Sequence, residues 1–179
     1  MRLQSGMLAH AASAALSGID AFEVRVETSI TAGLPNLLIV GLPGAAVQES
    51  RERVRAALHN SDLPFPLRRV VINLAPADVR KEGPAFDLPI ALSLLLAQAA
   101  LPPDCLTGTL TFGELALDGS LRPVRGAASI GTLAAHCGAR RLLVPPANAA
   151  EVAAVTDVPV YAPASLAHAV RFLAVFGAL

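Results

Sequence analysis

Few side chains in this sequence could make or break bonds. Lys81 is the single lysine, the histidines are His10, His59, His136 and His168, and the thiols are Cys105 and Cys137. A phosphate loop of the form G-x-x-x-x-G-K-[ST] cradles a nucleotide with main-chain amides and reaches its terminal phosphates with the lysine. Gly126, Gly131 and Thr132 match the glycine spacing but lack that lysine, and no G-x-G-x-x-G occurs. This chain alone is therefore expected neither to hydrolyse ATP nor to hold a cofactor. The histidines are far apart, with no H-x-x-x-H or H-x-x-E pair, so no metal site is expected. Cys105 and Cys137 have no CxxC or histidine partner and read as buried thiols of a reducing cytoplasm. A serine–lysine dyad would have to use Lys81. Between Arg80 and Glu82, that residue reads as a solvated loop charge rather than a desolvated amine of lowered pKa.

Composition narrows the partners. Lys+Arg and Asp+Glu are both 14, so nucleic acid would have to bind a local patch and not the whole surface. Aromatic residues are 4% with no tryptophan, leaving few rings to stack on bases. With 54% hydrophobic and 16% charged residues the chain is globular, and its 179 residues suit one domain. No apolar run reaches the roughly 20 residues of a bilayer span; Leu88–Leu101 is interrupted by Pro89, Ser93 and Gln98. Residues 1–7 read as a short leader, natural or introduced by cloning, and 8–179 as a single domain.

The elements that position these residues follow from periodicity. Phe22, Val24 and Val26 alternate with Glu23, Arg25 and Glu27, a strand with one wet face. Leu37–Val40 and Arg69–Leu74 predict further strands, and Ala45–Leu58 a helix with Glu49, Arg51, Glu52, Arg53 and Arg55 largely outside. Phe86–Ala99 predicts a buried helix in which Phe86 and Leu88 pack inward and Asp87 accepts hydrogen bonds from first-turn amides. Thr109–Leu115 and Ser120–Val124 pair around Asp118-Gly119. Helices near 126–136, 147–153 and 165–176 alternate with strands at 141–145 and 158–161. The pattern is α+β (α/β-like), a mixed sheet with packed helices.

Several segments together carry a family resemblance. Gly41-Leu42-Pro43, Glu49–Leu58, Asn73–Asp78 and Arg80–Leu92 resemble, in order, the N-terminal domain of the ComM/YifB-type, magnesium-chelatase-like AAA+ ATPases, from about Leu8 to Val175. The resemblance implies a ribosomal protein S5 domain 2-like, Lon-protease-like fold, followed in the family by an AAA+ module that this chain lacks. ATP and Mg would belong to that module. Lon peptidases cut with a serine in Lys-Asp-Gly-Pro-Ser-Ala-Gly; the matching position here is Ala85. Their lysine position falls on Ala128. A methyl group can neither attack a carbonyl nor accept a proton, so no catalytic residue is expected.

What the resemblance implies is a noncatalytic domain that assembles or guides DNA within a hexameric, ATP-driven motor. That motor would be a branch-migration helicase of natural transformation, acting in the cytoplasm on single-stranded or branched DNA. Arg51, Arg55, Arg68, Arg80 and Lys81 are the candidate DNA contacts if they gather into one rim; the other reading of these charges is an ion-paired surface. Alternatives of other classes are a Lon-like peptidase pairing Lys81 with Ser50, Ser93 or Ser129, and a magnesium-chelatase subunit.

Overall fold

The alternation at Phe22–Glu27 lies inside a longer strand, β2 (Asp20–Thr31), which buries Val24, Val26, Thr28 and Ile30. These assignments come from a computed structural model that describes residues 7–176. The hairpin partner of β2 is β1 (Met7–Ser17), which turns Ala9, Ala11, Ser13 and Ala15 inward. Sequence periodicity predicts no element there, because alanine and serine give little hydrophobic contrast. Of the expected leader, residues 1–6 lie outside the described residues, whereas Met7 already pairs with Ile30. Gly18 and Ile19 close the hairpin. Gly18 has φ +63°, and a glycine first in a two-residue loop matches the twist of the strands.

β3 (Asn36–Val40) runs parallel to β4 (Arg69–Ala75), which is antiparallel to β2. The helix expected over Ala45–Leu58 is divided at Glu49 into α1 (Ala45–Gln48) and α2 (Ser50–Asn60). α3 (Asp87–Ala97) packs on β1 and β2, and every residue from 87 to 95 is buried. Phe86 and Leu88 do point inward. Pro89 falls in the first turn of α3, where its missing amide breaks no helical hydrogen bond.

Thr109–Leu115 is not one strand. β5 (Thr109–Thr111) lies parallel to β1 and to β8 (Arg141–Leu143), while β6 (Glu114–Leu115) pairs with β7 (Leu121–Arg122) around Asp118-Gly119. Gly113 makes the switch. Its φ is +155°, and a Cβ there would stand 3.1 Å from side-chain atoms of Leu121 and Pro145. α4 (Ala127–His136), a 3-10 turn at Pro146–Asn148, α5 (Ala149–Ala153), β9 (Val160–Tyr161) and α6 (Leu166–Phe176) complete the described chain.

The main sheet has the order β3-β4-β2-β1-β5-β8-β9 with parallel and antiparallel neighbours, the α+β arrangement the pattern predicts. Leu88, Leu92 and Leu95 of α3 form the larger core with residues of α2 and α6, and Phe112, Ile130 and Val152 centre a smaller one under α4 and α5. Cys105 is buried, and burial pushes its thiol above the usual range. Cys137, in contrast, is exposed, because it follows the last residue of α4, past the face that packs. Among the described residues no helix is long and apolar enough to cross a membrane.

Candidate functional site

The start of α3 borders a cleft of about 460 Å³. Its walls are Ala14–Leu16 of β1, the loop Glu82–Ala85, Glu114, and the segment Pro123–Arg125 with Ile130. The local fold follows from Gly113: its amide donates to the Ala85 carbonyl at 2.8 Å, and its carbonyl accepts the Leu88 amide at 3.1 Å. β6 is thereby clamped to the helix entry. Ala85 lies in the cleft wall; Ala128 lies in the first turn of α4, and its side chain is not among the lining groups. The described lining carries two carboxylates and a guanidinium but no hydroxyl, thiol, imidazole or amine. Such a cleft can bind, but its described lining offers neither the hydroxyl nor the amine of a serine–lysine dyad. Accordingly Ala85→Ser alone should leave casein uncut in an overnight gel assay, because Ala128 still supplies no base.

Lys81 is the main correction. It is fully buried rather than solvated, and its Nζ donates to the carbonyls of Gly41, at 2.9 Å, and Pro76. Loss of hydration lowers its pKa, with Asp78 opposing the shift. The three serines of the dyad reading are engaged elsewhere. Ser50 donates to Asp87, Ser93 bonds Thr28 and the Ile90 carbonyl, and Ser129 donates to the Ile19 carbonyl. The amine therefore ties the end of β3 to the end of β4, and it is shielded from any phosphate.

Asp87 is the second correction. It makes no helix cap. Its buried carboxylate accepts from Ser50 Oγ at 2.5 Å, from Arg53 Nε and Nη2 at 2.6 and 3.0 Å, and from the Leu115 amide at 3.0 Å. Arg53 thus leans inward from α2, contrary to the outward position expected, with 17% of its side chain exposed. The hydrogen bond to Asp87 raises the guanidinium pKa against the cost of burial. Only its i,i+4 contact with Glu49, at 3.4 Å, matches the sequence expectation.

The candidate DNA contacts do not form one rim. Arg80 pairs with Glu82 in the loop after β4. Arg68 precedes β4, whose length separates the two by about 20 Å. Arg55 sits over the Phe65 ring at 4.7 Å, beside a concavity that also includes His59, Pro66 and Leu67. Arg51, one turn before Arg55, donates to the Gln48 carbonyl near the start of α2. Arg51 and Arg55 therefore lie together on α2, Arg68 and Arg80 lie before and after β4, and Lys81 leaves the set.

The implied nucleotide does not fit here. Gly126–Thr132 is no loop: it opens α4, and Gly131 is buried against Val152 and Val155, where a Cβ would stand 2.9 Å from a Val155 methyl.

A mixed-sheet α+β domain with a cleft at a helix entry is the class that fold and site define. A family model described as subunit ChlI of Mg-chelatase matches residues 26–148. The chain is 47% identical over 139 residues to a protein of Salmonella typhimurium named uncharacterized protein YifB, covering 78% of this chain and 27% of that one. It is 40% identical over 161 residues to competence protein ComM of Haemophilus influenzae, covering 90% and 31%. The chain belongs to this magnesium-chelatase-like family of the YifB and ComM kind. It spans under a third of the length of these curated relatives.

Proposed function

We propose that this chain is the noncatalytic, N-terminal assembly and DNA-guiding domain of a ComM-like AAA+ motor. What supports this reading is the cleft at Ala85, where the resemblance implies the Lon serine and where the described lining has neither a hydroxyl nor an amine. In the complete protein, ATP and Mg would be used in a separate module, and copies would close into a ring that moves branched DNA in the cytoplasm. The domain would touch phosphates through Arg51 and Arg55 on α2, with Arg68 before β4 and Arg80 after it as separate contacts. Guanidinium forks suit phosphate oxygens, and contacts to phosphates carry no sequence information, so binding through them should be insensitive to sequence.

The test is a fluorescence-anisotropy titration of the chain with forked and duplex DNA between 50 and 200 mM salt. On duplex DNA, log K should fall with log salt by about 0.9 for each phosphate neutralised. Arg55→Ala should reduce that slope by about 0.9 for a lost contact, with little effect on folding. A flat salt response would remove the DNA-guiding role from this domain.

A further inference from the structure

β1 has an open edge. In a two-residue hairpin the residues flanking the loop exchange both hydrogen bonds, here Ser17 and Asp20, so the odd-numbered residues of β1 bond to β2. The amides and carbonyls of the even-numbered residues therefore point the other way. Ala12 uses its pair on β5, beside Leu110. The ladder stops there, because the Thr109 amide, which would continue it to His10, donates instead to the Leu106 carbonyl at 3.0 Å. Among the described residues no main-chain or side-chain group bonds the outward amides and carbonyls of Leu8 and His10.

These groups face a groove of about 450 Å³, lined by five consecutive β1 residues, Leu8–Ala12, and walled opposite by the segment Pro103–Thr107. A strand of four residues is about 13 Å long and would lie in line with β5. Its side chains would alternate between two environments. One is apolar, with Ala9, Ala11, Leu96 and Leu106; the other is charged and polar, with Arg25 and Asp104.

We propose that this groove takes an extended peptide of a partner protein as an added strand, paired to Leu8 and His10, with apolar residues at every second position. Main-chain pairing would give the affinity and the alternating pockets the selectivity. An uncovered edge also templates unwanted pairing.

The test uses fluorescein-labelled Ser-Val-Ser-Val-Ser-Val and the intact chain. Saturable binding is expected, together with at least tenfold slower hydrogen exchange at the Leu8 and His10 amides. The same peptide N-methylated at every residue should lose binding, since it cannot donate to the edge. His10→Pro removes an outward donor that β2 does not use, so it should weaken binding at least tenfold while keeping the urea midpoint. Should that variant misfold, the N-methyl comparison decides. No binding of the peptide, equal binding of its N-methylated form, or a chain dimer that seals this edge would each overturn the proposal.

Discussion

Replacing Asp87 with alanine is expected to lower the free energy of unfolding by about 3–5 kcal/mol, the loss that follows when one partner of a buried ion pair is removed. The carboxylate is shielded and accepts from α2 at Ser50 and Arg53 and from β6 at Leu115. Its removal leaves a guanidinium with only 17% of its side chain exposed and a buried amide without an acceptor. The residual exposure of Arg53 lets water solvate part of the charge, so the lower half of that range is favoured. Asp87→Asn keeps an acceptor for the amide and should cost less, and Ser50→Ala about 1 kcal/mol. Urea titration of the three variants would show the order. A loss under about 1 kcal/mol for Asp87→Ala would mean that α2 is not held through this carboxylate. Because Leu115 also belongs to β6, which helps wall the Ala85 cleft, the same variant should loosen the cleft, read as faster hydrogen exchange at Gly113 and Leu115.

Lys81→Met is the second large effect. Hydrogen bonds from a charged donor contribute about 1.5–3 kcal/mol each, and two carbonyls lose theirs, offset by the hydration that the ammonium no longer forgoes. The net destabilisation should be about 2 kcal/mol. Its pH dependence has a definite sign. Burial holds the folded pKa below the ordinary value near 10.5, so the unfolded chain binds the proton more tightly. The wild type should therefore gain stability relative to Lys81→Met as pH rises through the folded pKa towards 10.5. Constant stability differences across that window would show that the amine is hydrated after all. DNA affinity at neutral pH should stay within about twofold of wild type, as expected of an amine that no phosphate reaches. A protease-like role would instead require a hydroxyl beside the amine, and its bonds go to carbonyls.

Much of the architecture can be read along the chain, since it depends on neighbours within a few residues. Alternation marks β2, continuous apolar residues mark β3, Asp118-Gly119 marks the β6–β7 turn, and Gly138, at φ +74°, ends the α4 segment. The alanine at 85, where the resemblance implies a serine, is a matter of residue identity. Three-dimensional packing decided the rest. Arg53 meets Asp87 across 34 positions and Lys81 meets Gly41 across 40, so their outward or inward orientation depends on elements that no local pattern brings together. β1 was silent because alanines bury little area per residue, and its open edge exists only because β5 turns away after one pair. Period and residue type set which segments could be strand or helix; long-range hydrogen bonds and desolvation chose which charges were buried and which main-chain groups stayed open.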